Sequence, residues 1–94
     1  MSTQEDDARL AANRDAVVKH LKAELGGDVP VLEIPGQGVR FFPAGLGQLL
    51  IIYELLWDIP EPQHLVDRID AHVLQRLRNG QSGTMTSTGT TFAP

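Results

Sequence analysis

The stretch from Gly45 to Ile59, GLGQLLIIYELLWDI, constrains this chain more than any other part of it, being almost wholly apolar within a polypeptide of only 94 residues. A chain of this size is a single domain whose one core barely outweighs chain entropy. Apolar surface on this scale must be covered, either by the rest of the chain or by another protein. The run is too short to span a bilayer, which takes roughly 20 apolar residues, and Glu54 interrupts it. No membrane partner is expected.

Periodicity does not assign a continuous apolar run to helix or strand. Length, leucine content and the flanking Pro43 and Pro60 favour a buried helix over residues 46–57. The β-branched pair Ile51 and Ile52 favours the competing reading, a central strand from Gln48 to Glu54. The neighbouring elements are plainer. Residues 4–25 place Leu10, Val17, Val18, Leu21 and Leu25 on one stripe and predict an amphipathic helix. Ser2 with Glu5 supplies a capping box, Gly26-Gly27 a stop, and Glu5–Arg9 and Asp15–Lys19 are acid-to-base pairs one turn apart.

Residues 61–79 predict a second such helix, with Leu65, Val66, Ile69, Val73, Leu74 and Leu77 on one side, Pro62 in its first turn and Gly80 past its end. Val29–Ile34 and Val39–Phe42, separated by Pro35-Gly36-Gln37-Gly38, predict a hairpin. Pro30 deletes a ladder hydrogen bond, so the first strand is an edge or begins after it. The fold class implied is α+β: two amphipathic helices and a buried central helix or strand, packed on a short antiparallel β-ribbon.

Residues 1–80 make up this domain, and 81–94, QSGTMTSTGTTFAP, form a Thr/Gly-rich tail. Composition alone reads the tail as disordered. The alternation of Thr84, Thr86, Thr88 and Thr90, continued by Phe92, reads it instead as an extended arm that adds to a neighbouring sheet edge and anchors through Phe92. If it is such an arm, removing 81–94 is expected to weaken self-association or partner binding and leave the helical circular dichroism largely intact, and unchanged association would remove the arm from the argument.

The candidate chemistry is sparse. There is no Cys, so disulfides, thiolate zinc sites and cysteine nucleophiles are excluded. The acidic start, MSTQEDDARL, is unlike a secretory leader, and a cytoplasmic location is expected. His64 and His72 on the later helix stand about 12 Å apart along its axis, too far to share one metal. Gly36-Gln37-Gly38 and Gly45-Leu46-Gly47 begin a dinucleotide-binding pattern, but Phe41 and Leu50 stand where its third glycine belongs. Ser2, Ser82 and Ser87 lack a nucleophile motif, and Asp67 and Asp70 lie beside Arg68 on a charged helix side. Glu54 must pair, with Arg40 or Arg68, or face water. No catalytic, metal or cofactor site is expected, no small-molecule substrate, and no enzyme activity.

What remains is surface. His64, Arg68, His72 and Arg76 follow at four-residue steps and share one helix face, a basic stripe for an acidic partner or for phosphate. Phe41, Phe42, Tyr53 and Trp57 are core, or else anchors of a protein contact. With Thr86, Thr88 and Phe92 of the tail, the aromatic residues and Arg68, His72 and Arg76 make up the candidate partner-binding set. Eight Lys and Arg against twelve Asp and Glu give a formal charge of −4, which argues against nucleic acid.

The helix AVVKHLKAEL, the strands VLEIP and QLLIIYE and the helix LVDRIDAHVLQRL occur in an order that resembles the small bacteriophage tail-terminator and tail-completion proteins. The resemblance covers residues 10–79 in element order and carries no site residue over. It implies a non-enzymatic structural protein of the virion, built into rings at the head-to-tail junction by self-association. The alternative is a small regulatory adaptor or DNA-associated protein that uses the His64/Arg68/His72/Arg76 face.

Overall fold

A computed structural model describes residues 3–93, with side-chain surroundings from Asp7 to Phe92. The Ser2–Glu5 capping box lies outside the described residues. Helix α1 (Thr3–Leu25) leads into strands β1 (Val31–Ile34), β2 (Gly38–Phe41) and β3 (Leu49–Ile52). Helices α2 (Tyr53–Asp58), α3 (Pro62–His72) and α4 (Leu74–Arg78) follow, then β4 (Ser82–Thr86) and β5 (Gly89–Ala93). The fold is α+β. Its strands form one five-stranded sheet in chain order, antiparallel throughout except for the parallel pair β3–β4. The three later helices are the crossover that a parallel pair requires.

The hairpin β1–β2 forms as its turn residues dictate. Gln37 N–H donates to Ile34 O at 3.0 Å, with Pro35 and a left-handed Gly36 (φ 77°) at the two central positions, the type II pattern. Strand β1 starts after Pro30 and is an edge. At the other end of the crossover, Gln81 N–H reaches Arg76 O and Gly80 N–H reaches Leu77 O. With Gly80 at φ 85°, these bonds make a Schellman stop that turns the chain from α4 into β4.

The apolar run corrects the favoured helix over 46–57. It is a four-residue central strand, β3, followed by the short helix α2. Leu49 and Ile51 are fully buried beneath the helices, and Leu50 is buried on the opposite face. With Leu50 shielded by its neighbours on the outer face while the helices cover the inner one, the strand is apolar at every position and shows no period. Residues 61–79 form two helices rather than one. The segment breaks at Val73, although Val73 N–H still bonds Ile69 O and Leu77 N–H bonds Val73 O.

The tail is extended, but the sheet it joins is its own chain's: β4 pairs with β3 of the same molecule. The threonine alternation does not hold one face either. The turn at Ser87-Thr88 folds the strand back so that Thr84 lies opposite Thr91 and Met85 opposite Thr90. Thr84 and Thr86 therefore face one way, and Thr90 and Phe92 the other.

One core lies between the sheet and the helices. It unites Leu10, Val17 and Leu21 of α1 with Val39, Phe41, Leu49, Ile51 and Met85 of the sheet, and with Leu55, Leu56, Leu65, Ile69, Val73 and Leu77. Asn13 is its single buried polar residue among those described. Its Nδ2 donates to Leu56 O at 2.7 Å and to Ile59 O at 3.1 Å, closing carbonyls at the C-terminal end of α2 that no helical N–H reaches. Further ties hold α1 to the crossover. His20 meets Asp70 at 2.6 Å, Arg9 donates to Trp57 O at 2.9 Å, and Arg78 donates to Glu24 O at 3.1 Å.

Candidate functional site

The helices cover one face of the sheet. Strand alternation turns the register row Leu32, Arg40, Leu50, Thr84 and Thr91 to the opposite face. Leu50 is 9% exposed yet stands outside the core cluster. A depression of about 460 Å³ opens on this side, lined by Arg40, Gln48, Leu50, Thr84 and Thr91 among others. Arg40 donates through Nη1 to Gln48 Oε1 at 3.3 Å, while its Nε is buried without a partner. At the β1 end of the row Leu32 is 53% exposed, and Val31, on the helix side of the same strand, is 37% exposed. These are the exposed large hydrophobic residues among those described.

A second concave surface lies on the helix side, where α3 and α4 run beside β5. Its lining is Arg68, His72, Arg76, Gly89, Thr90 and Phe92, around a volume of about 430 Å³. The four-residue spacing brings the three basic residues to one wall. Arg68 donates through Nη2 to Thr86 O at 3.2 Å, and the Arg76 guanidinium lies 5.0 Å from the centroid of the Phe92 ring, within cation–π range. The ring is seated on Gly83, where a Cβ would come within 2.7 Å of it.

Among the described residues no carboxylate lines this cleft. Among the described residues Arg68, His72 and Arg76 form no ion pair. The acids beside Arg68 in sequence are engaged elsewhere, Asp67 with Gln63 and Asp70 with His20. His64, the fourth member of the stripe, stands off the cleft against Glu61 at 3.7 Å. Glu54 is exposed and faces water. Asp15 contacts Arg14 rather than Lys19.

The predicted partner-binding residues therefore separate. Arg68, His72, Arg76 and Phe92 converge on the cleft, with Thr86 beside it through the Arg68 bond. Thr88 is exposed at the tip of the β4–β5 turn. Phe41 is fully buried in the core and so presents no surface to a partner. Phe42 is half-buried. Tyr53 and Trp57 stack one helical turn apart, centroids 5.5 Å and planes 14° apart, half-buried at the border of the core. Sequence reasoning missed the outer row, since which strands neighbour one another is not written in any local pattern.

Burial, and secondarily the Glu33 carboxylate on β1, holds the Tyr53 phenol above its usual value. Tyr53 is the chain's one tyrosine, so phenolate absorbance reads it directly. Its midpoint is expected above the ordinary value of about 10 and to return there in denaturant; Glu33→Gln is expected to lower it. A raised folded-state pKa means that the stability tied to this group is complete below about pH 10 and disappears as pH climbs through the folded value. A native midpoint equal to the denatured one would remove Tyr53 from this environment.

Among the described residues no group of three or more His, Asp or Glu is placed to hold a metal ion, and no helix is long and apolar enough to cross a membrane. No protein-family model, curated protein or solved structure matches this chain significantly.

Proposed function

We propose that this protein is a non-enzymatic contact module that builds assemblies by self-association through its sheet. The observation that carries this reading is the one-sided cover of the sheet. A five-stranded sheet with helices on one face leaves Leu32 and Leu50 on the other, in one row with Arg40, Thr84 and Thr91. Sheets bury such faces by stacking about 10 Å apart on a second sheet, and a second copy of the chain supplies one. The mixed row, apolar at Leu32 and Leu50 and polar at Arg40, Thr84 and Thr91, has the composition of a contact surface that also survives in water. A place in a phage tail or head-to-tail junction rests on element order.

Size-exclusion chromatography with light scattering tests the reading. A mass above that of one chain, 10.3 kDa, is expected, together with a shift toward the monomer for Leu32→Glu, which sets a charge on the exposed end of the row. A native chain that stays monomeric up to high concentration would overturn it.

A further inference from the structure

The two free edges of the sheet differ in their protection. Strand β1 is four residues long, lies between Pro30 and Pro35 and carries Glu33, all devices that discourage another strand from pairing. Strand β5, Gly89–Ala93, is one residue longer and carries no charge, with a proline in the sequence only after its end. The direction of its backbone groups follows from the pairing. Gly83 N–H donates to Gln48 O at 2.9 Å, so Gly83 and Met85 point their backbone groups at β3, and Ser82, Thr84 and Thr86 point theirs at β5. The antiparallel register then turns the N–H and C=O of Thr90 and Phe92 to the open side. The basic cleft lies along this same edge.

We propose that the cleft between α3–α4 and β5 receives an extended acidic protein segment, which pairs with β5 as a sixth strand and sets its carboxylates against Arg68, His72 and Arg76. The inference rests on reading the chain as a protein-contact module, and it assigns a partner chemistry to a surface apart from the outer row. Backbone pairing supplies affinity in this mode and alternate side chains supply specificity.

The spacings agree. Residues four apart on a helix repeat about every 6 Å along its axis, and side chains on one face of a strand repeat about every 6.6 Å. Helices α3 and α4, whose helical backbone bonds continue across Val73, together run along β5 in the required sense, with Arg68 bonded to Thr86 O near the Gly89 end and Arg76 over Phe92 near the other. An acid at every second position of the incoming strand therefore meets one basic residue each. Three cationic or donor side chains without an acid among the described lining residues, on a chain of net charge −4, make this cleft a local exception to the surrounding field. That field repels the continuous phosphate charge of nucleic acid and tolerates a short acidic strand.

The probe is a fluorescein-labelled peptide, Thr-Asp-Thr-Asp-Thr-Asp-Thr, followed by anisotropy at low salt with the full chain. Binding is expected, with the amide resonances of Thr90 and Phe92 shifting on titration. Arg68→Gln and Arg76→Gln are each expected to weaken it about tenfold, and added salt to weaken it further. Two changes on the peptide leave the protein untouched and so are immune to misfolding. Clustering the three Asp at the centre, with composition unchanged, and N-methylating the amides that would face β5 are each expected to cost about tenfold or more. Leu32→Glu, on the other face, is expected to bind the peptide as the native chain does, which separates this test from that of self-association. Failure to bind, equal binding of the clustered peptide, indifference to N-methylation, or tighter binding of single-stranded oligothymidylate would each overturn the proposal.

Discussion

A chain ending at Gly80 is expected to lose its cooperative unfolding transition, with far-UV circular dichroism reduced and Trp57 emission shifted to that of the denatured protein. The segment removed reads as a polar tail, yet it contains β4, which pairs with the central strand through Leu49–Gly83, Leu50–Thr84 and Ile51–Met85. Met85 is fully buried in the same core as Ile51 and Ile69. Truncation of a buried methionine to alanine by itself costs about 2–5 kcal/mol. Losing both strands in addition opens the hydrogen-bonding edge of β3 and one side of Leu49 and Ile51. A domain of this size is stable by about 5–15 kcal/mol in all, and at the small end of that range nothing remains. Met85→Ala is the graded control, expected to fold with a stability lower by about 3 kcal/mol. Retention of the helical signal and of a sharp thermal transition by the Gly80 chain would show that β4 is dispensable, as composition alone implies.

The contrast at this tail shows which information is local. The stop at Gly80, the turn at Pro35-Gly36 and the stripes of α1 and α3 all follow from neighbours within a few residues, and each was legible. Strand β3 was not, because burial on both faces erases the alternation that marks a strand, while Ile51 and Ile52 gave the one dissenting signal. The partner of β4 was hidden for a different reason. A parallel pair is set by the path of the intervening crossover, which no short window contains. The same division runs through the cleft. Arg68, His72 and Arg76 share a face by spacing alone, but the meeting of Arg76 with Phe92 depends on the fold of the β4–β5 hairpin. The signal for Asn13 was present and unread: Leu10, Asn13, Val17 and Leu21 follow at three- and four-residue steps, so an amide sits within an apolar stripe.

Replacing that amide by Leu is expected to lower stability by about 3 kcal/mol and the thermal midpoint by roughly 10–20 °C. Leu has the branched outline of Asn but is larger, so at this fully buried site some overpacking adds to the loss of hydrogen bonding. Leu56 O and Ile59 O surrender the donor that reaches both of them and stay buried, each at a desolvation cost of about 1–3 kcal/mol. Asn13→Asp separates this account from simple loss of packing, because an acid there acquires a slope with pH. Protonated, it donates to one carbonyl; ionised, it directs a charge at two carbonyl oxygens inside the core, so its folded pKa is raised above the unfolded value of about 3.9. Below that value both states hold the proton and the variant is at its most stable. As pH rises the unfolded chain ionises first, and stability falls by about 1.4 kcal/mol per unit until the folded pKa is passed. Urea midpoints are therefore expected to drop from pH 4 to pH 7 more steeply in Asn13→Asp than in the native chain or in Asn13→Leu. Parallel pH profiles in all three proteins would mean that the two carbonyls find water instead, and that Asn13 does not hold the end of α2 to α1.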